Sequence, residues 1–265
     1  MDRYRISFAG AGRVASSLST ELLAKGHKIQ QVISPGRGKG KKLAGITDAV
    51  WSDILEYKPD TDLIIVAVPD NQLHAVLSNI QCGSETIVVH TAGSYGTEVF
   101  PSSINRCGVF YPLQTFSEGR KVEFSNIPVF IETVDAKALH ILRNIGESLG
   151  CRVFDSDIMH RRLIHVAAVF VSNFTNYMLI SGERLATRSG YPADLLRPLI
   201  IETVNKALEN GPVNSQTGPA VRYDYKTIEK HLDLLSFSPE LQTVYEEISR
   251  SIMNYYKQKG KDDQL

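Results

Sequence analysis

The strongest constraint in this sequence is an alternation that stops partway along the chain. Up to residue 155, short apolar runs and helix-periodic stretches take turns; beyond it the apolar runs cease. "YRISFAG" (Tyr4–Gly10), "KIQQVIS" (Lys28–Ser34), "DLIIVAVP" (Asp62–Pro69), "ETIVVHTAG" (Glu85–Gly93), "CGVFYPL" (Cys107–Leu113), "IPVFIE" (Ile127–Glu132) and "CRVFD" (Cys151–Asp155) read as strands. Val14–Lys25, a short basic stretch after Ser34, and Asp135–Leu149 read as helices. Leu63 to Val68 is apolar at every position, as a strand must be when both its faces are covered. Such alternation predicts an α/β fold with a doubly wound, largely parallel sheet.

After Asp155 the pattern is helical. Asp157–Arg188 reads as one long apolar helix, with Asp155 to Asp157 as N-cap choices and Gly190 as its stop. Pro192–Asn210, Asp224–Leu235 and Pro239–Lys257 are further helix candidates. With 265 residues, two domains are expected, at 1–155 and 156–265. A helix this long and apolar needs more cover than the remaining residues offer, so a homodimer through the helical domain is expected. The chain carries 29 Lys plus Arg against 29 Asp plus Glu, a balance that excludes a general nucleic-acid or anionic-membrane binder. No uninterrupted apolar run reaches the roughly 18 residues of a membrane span, and the N-terminus has no cleavable signal pattern. Cys82, Cys107 and Cys151 are widely spaced and lack metal-ligand spacing, so reduced thiols in the cytoplasm and no metal are expected. The end "KQKGKDDQL" is expected to fray.

Gly10-Ala11-Gly12-Arg13-Val14-Ala15 has the G-x-G-x-x-A form between an expected strand and an expected helix. In that context the first glycine permits a tight turn, the second lets a pyrophosphate approach, and Ala15 allows close helix–sheet contact. An NAD site usually has an acid at the end of the second strand for the ribose 2′-hydroxyl. Here Ser34 stands there, followed by Arg37, Lys39, Lys41 and Lys42. A hydroxyl and a guanidinium suit a 2′-phosphate, which an acid would repel, so NADP is the expected cofactor. Gly10, Ala11, Gly12, Arg13, Val14, Ser34 and Arg37 are the candidates for holding it.

"FAGAGRVASSL", "VAVPDNQL", "HTAGS", "GVFYPLQTFS", "RRLIHVAAVFVSNFTNYM" and "QTGPAVRYD" together resemble the bacterial Rossmann-like NADP oxidoreductase family with a C-terminal domain of unknown function 2520. The resemblance spans essentially the whole chain. It implies an N-terminal Rossmann domain and an all-helical second domain resembling the 6-phosphogluconate dehydrogenase C-terminal type. More distantly the chain is similar to pyrroline-5-carboxylate reductases, prephenate dehydrogenases and β-hydroxyacid dehydrogenases. The last group uses a catalytic lysine on the interdomain helix. There is no lysine between Lys137 and Lys206, so that mechanism does not carry over. Val68 and Pro69 resemble the loop beside the cofactor ribose. Tyr111 to Thr115 resembles the substrate-facing loop of prephenate dehydrogenases, which have histidine where Tyr111 stands.

Ligands of open α/β sheets sit beyond the carboxyl ends of the strands. That rule selects His90, Gly93, Ser94, Tyr111 and Gln114 as site candidates; His90 could equally be a satisfied core histidine. At about 100° per residue, His165, Val169, Ser172 and Asn176 share one face of the long helix, with Asn173 beside them. This polar stripe either forms an internal network or lines a cleft, with His165 a proton donor and Asn173 and Asn176 substrate ligands. Thr217 and Arg222 in "QTGPAVRYD" either bind an anionic substrate group or form a turn with a surface ion pair. The leading expectation is an NADP-dependent oxidoreductase acting on a small polar or anionic carbonyl, imine or alcohol. The alternative is a non-catalytic dimeric NADP-binding sensor.

Overall fold

The computed structural model describes residues 2–262. Its eight strands are β1 (Arg5–Ala9), β2 (Lys28–Ile33), β3 (Val50–Ser52), β4 (Leu63–Val66), β5 (Ile87–His90), β6 (Cys107–Pro112), β7 (Pro128–Glu132) and β8 (Arg152–Asp155). They form one sheet in the order β3-β2-β1-β4-β5-β6-β7-β8. All neighbours are parallel except β6 and β7. The helices among these strands are α1 (Arg13–Ala24), α2 (Arg37–Thr47), α3 (Asp70–Asn79) and α4 (Ala136–Ser148). β3 and α3 were not anticipated from the sequence; β3 is only three residues long and lies at the sheet edge, where burial enforces little patterning.

Two buried clusters lie in this sheet-and-helix part. One includes Ile6, Phe8, Leu18, Leu63, Ile65, Phe110 and Leu142, the other Ile64, Val66, Leu73, Leu77 and Val88. Alternate residues of β4 thus enter opposite clusters, which is why every position from Leu63 to Val66 is apolar.

Beyond β8 lie α5 (Ile158–Ala168), a π-helical turn (Val169–Phe174), α6 (Thr175–Arg188), α7 (Arg197–Asn210), α8 (Pro212–Ser215), α9 (Tyr225–Leu234) and α10 (Pro239–Asp262). Asp157 caps α5 and Asp224 caps α9 through side-chain acceptance of backbone N–H groups. Gly190, at φ +86°, follows the end of α6. The stretch expected to fray from Lys257 is helical to Asp262; residues 263–265 lie outside the described residues.

The chain separates into two compact units, 1–173 and 174–265. The change from strands to helices falls at Asp155 as read from sequence, but Ile158 to Asn173 go with the first unit. Ile158–Arg188 is long and apolar enough by composition to cross a bilayer, with a mean hydropathy of 1.5 in its best window and none of that window buried. Polar residues such as His165, Ser172, Asn173 and Asn176 interrupt its apolar runs.

Candidate active site

The first site element is the turn between β1 and α1. Gly10 sits at φ +105°, and a Cβ there would collide with the Ala67 carbonyl. Its N–H donates to the Ile33 carbonyl at 2.8 Å, tying the turn to β2. Gly12 is the exposed N-cap of α1 and supplies no side-chain cap. The first amides of α1 are therefore left for an incoming anion. Space above Gly12 is open, since even the nearest atom to a Cβ there, the Ala67 oxygen, is 4.0 Å away. Ala15 is fully buried, as close helix–sheet packing requires. Val68 packs beside Gly10, its Cγ1 3.2 Å from where a Gly10 Cβ would stand, and Pro69 begins α3. Ala11 and Val14 are half-buried against the core.

Ser34 is buried at the end of β2, and Arg37 is the first residue of α2, the short basic helix. A cavity of about 360 Å³ runs beside α1 and α2, lined by Gly12, Arg13, Ser17, Lys39, Lys42 and Arg120 among others. Open amides, an exposed glycine and converging cations fit a dinucleotide that carries phosphates.

The second element gathers at the ends of β5 and β6. The Tyr111 hydroxyl and His165 Nδ1 lie 2.9 Å apart. Both press on Gly93: a Cβ there would be 2.7 Å from His165 Nδ1 and 3.0 Å from Tyr111 Cζ. Burial pushes the Tyr111 phenol up, so it keeps its proton beside Nδ1. His165 is only partly buried, and Nε2, which the Tyr111 contact does not use, is the nitrogen available to a ligand.

What holds α5 here was not legible in the sequence. Arg161, one turn before His165, is fully buried. Its guanidinium pairs with Glu132 and donates to the Tyr95 carbonyl. Glu132 also accepts from the Thr97 N–H and hydroxyl at 3.2 and 3.3 Å. Arg162 Nε donates to the Ser94 carbonyl at 2.9 Å. Two adjacent arginines thus fix the start of α5 to the loop after β5, and residues four apart share a helix face, which brings His165 to Gly93. An arginine within an apolar helix was the available signal, and it was passed over for the histidine.

Other candidates change standing. His90 is fully buried and stacks on Phe100. Its Nδ1 accepts from the Ala92 N–H at 3.2 Å, and its Nε2 lies 3.1 Å from the Gly96 carbonyl. Burial pulls its pKa down to about 4. With both nitrogens engaged and no exposure, His90 shapes the loop carrying Gly93 and has no proton to offer a substrate. The single polar face also needs correction. The π turn at Val169–Phe174 uses i→i+5 bonding, so the 100° spacing assumed for the stripe does not hold through it. Asn173 is exposed on that turn, and of the stripe only His165 is hydrogen-bonded to the loops after β5 and β6. Gln114 is exposed and accepts from the Thr115 N–H at 2.8 Å, and Ser94 presents its carbonyl to Arg162. Asn176, Thr217 and Arg222 belong to the second unit and are exposed there. That unit has its own apolar cavity of about 280 Å³, lined by Met178, Leu185, Pro219, Leu241 and Ile248 among others.

A glycine turn opening on an uncapped helix, within a sheet of this order and followed by helices, defines a two-part Rossmann-like protein. Comparison with known proteins agrees. A Rossmann-like domain matches residues 1–114, and the Domain of unknown function (DUF2520) matches residues 127–252. The crystal structure of a "putative NADP oxidoreductase" from Bacteroides fragilis is 38% identical, with 95% of this chain and 98% of that one covered and a TM-score of 0.86. The chain belongs to this Rossmann-like, DUF2520-containing family. Protein TM1727 from Thermotoga maritima shares the fold at 22% identity, covering 96% of this chain and 99% of that one with a TM-score of 0.72. So does an imine reductase from Myxococcus stipitatus in complex with NADP+, at 16% identity, 97% and 94% coverage and a TM-score of 0.64. Among curated proteins nothing matches the chain.

Proposed function

We propose that this protein is an NADP-dependent oxidoreductase acting on a small polar or anionic carbonyl, imine or alcohol. The observation that carries the reading is the Tyr111–His165 pair, seated on Gly93 in the same unit as the glycine turn. The similar proteins of B. fragilis and M. stipitatus support it by their names. Gly10, Ala11, Gly12, Arg13 and Val14 would hold the pyrophosphate end of the cofactor. Ser34 and Arg37 would hold the 2′-phosphate, with Val68 and Pro69 beside the ribose. Bound there, the nicotinamide supplies or accepts the hydride. In reduction a protonated His165 would give its Nε2 proton to the substrate oxygen or nitrogen and become neutral, and in oxidation the neutral ring would take that proton back on Nε2. Tyr111 holds the ring through Nδ1 and leaves Nε2 for the substrate. Ser94, Gln114, Asn173, Asn176, Thr217 and Arg222 are left as candidates for orienting the substrate, in the same or a partner subunit.

The protein is also proposed to be a cytoplasmic homodimer. Leu163, Phe170 and Val171 on the long helix and Leu199 and Leu208 on α7 are all exposed, a density of apolar surface that monomers rarely leave open.

The test is binding followed by turnover. NADPH should bind about tenfold to a hundredfold tighter than NADH, the worth of a charge-assisted phosphate contact. NADPH consumption across a panel of carbonyls and imines then identifies a substrate. His165→Asn should lower turnover about a hundredfold to ten-thousandfold with NADPH affinity unchanged. Tight NADPH binding with no consumption anywhere in the panel supports the non-catalytic sensor instead.

A further inference from the structure

The cations that begin α2 are arranged against the helix's own interest. Gly36, the N-cap, offers no side-chain cap, and the first turn holds no acid. Arg37 and Lys39 add positive charge where the helix dipole is already positive. Arg37 and Lys41 are four apart, a like-charge spacing that destabilises a helix. Gly38, Gly40 and Gly45 weaken α2 further. Lys39 reaches Glu118 at 3.3 Å, but among the described residues neither Arg37 nor Lys41 has a carboxylate partner.

Both instead lie over one ring. The Arg37 guanidinium carbon is 5.8 Å from the centroid of Trp51, and the Lys41 ammonium nitrogen is 5.3 Å from it. Trp51 is the sole tryptophan of the chain and sits on the edge strand β3, beside the end of β2. Its indole N–H is buried and has no hydrogen-bond partner. Gly40 makes the arrangement possible, because a Cβ there would collide with both the indole and the Ser34 hydroxyl. The indole, Ser34, Arg37 and Lys41 are therefore one packed group.

We propose that Trp51 is the positioning residue for 2′-phosphate recognition, holding the Arg37 and Lys41 cations on its ring beside Ser34. This rests on the cofactor reading above. A phosphate dianion at this end of α2 turns each unfavourable charge relation into a favourable one. The ring spares two long side chains the loss of freedom they would otherwise suffer on binding.

The experiment compares adenosine 2′,5′-bisphosphate with 5′-AMP, fragments that differ only in the 2′-phosphate. Trp51 emission follows the titration in the parent protein and calorimetry follows it in the variants. The parent should prefer the bisphosphate at least tenfold. Trp51→Leu should reduce that preference fivefold or more with AMP affinity unchanged, and Trp51→Phe, which keeps a π face, should restore part of it. Gly40→Ala should also reduce the preference, by displacing the ring, although it removes no cation. If the parent binds neither fragment, the cofactor reading fails and takes this inference with it. If the parent discriminates and the Leu, Phe and Ala variants discriminate equally well, Trp51 has no part in recognition and only this inference is overturned.

Discussion

Ile64 and Ile65 in β4 are fully buried, whereas Leu199 and Leu208 in α7 are exposed, although all four are equally apolar in sequence. The first unit buries every large apolar residue of β1, β2, β4, β5 and β6 within one chain. In the second unit α7 has no buried residue, and α6 and α9 have one each. A parallel sheet brings its own cover, because each crossover lays a helix on one face. Helices joined end to end carry no such guarantee, and their apolar sides remain for another molecule to cover.

The comparison can be broken at the buried anchor of the first unit. Arg161→Met should cost about 3–5 kcal/mol of unfolding free energy, because it leaves the Glu132 carboxylate without its charge partner. Arg161→Met with Glu132→Gln should recover much of that loss. Chemical denaturation of both variants checks this, and equal stability of parent and single variant would show that the clamp is not structural.

His90 sharpens the comparison through pH. Its folded-state pKa lies near 4 against an ordinary 6.5, because burial disfavours the charged ring. Between those values the unfolded chain binds a proton that the folded chain refuses. Stability should therefore fall as pH drops from 6.5 toward 4 and level off below, by roughly 3 kcal/mol from this group. His90→Gln should flatten that part of the stability profile.

The smallest effect is expected in the second unit, where the exposed leucines should matter to assembly more than to folding. The parent should sediment at roughly twice its 29.4 kDa at micromolar concentration. Leu199→Asp should weaken association by about 2 kcal/mol, roughly thirtyfold, if it lies at the centre of the interface. Its thermal unfolding as a monomer should be nearly unchanged, since the leucine is already exposed. A parent that stays monomeric would show that these faces are covered by something other than a second copy.

The positions of most strands, the glycine turn and the helix starts near Asp157 and Asp224 were readable because each depends on residues close in sequence. Period-two burial, φ at one glycine and a side chain reaching its own helix amides are local matters. His165 was readable as an anomaly, a polar residue in an apolar helix. Its role relative to His90 was not, because that depends on which ring finds partners within the fold. Arg161 and Trp51 escaped notice for the same reason. Their partners, Glu132 for the first and Arg37 with Lys41 for the second, lie on other elements.

By itself the sequence determined the alternation of strands and helices, the order of the two parts and the place where an anion can meet α1. Those follow from backbone geometry and apolar periodicity, which act over a few residues. Only the tertiary structure decided that His165 meets Tyr111 over Gly93, that Arg161 holds α5 there, and that a π turn interrupts the expected stripe at Val169–Phe174. Such pairings depend on helix phase and on long-range contact, and one extra residue in a turn is enough to change them.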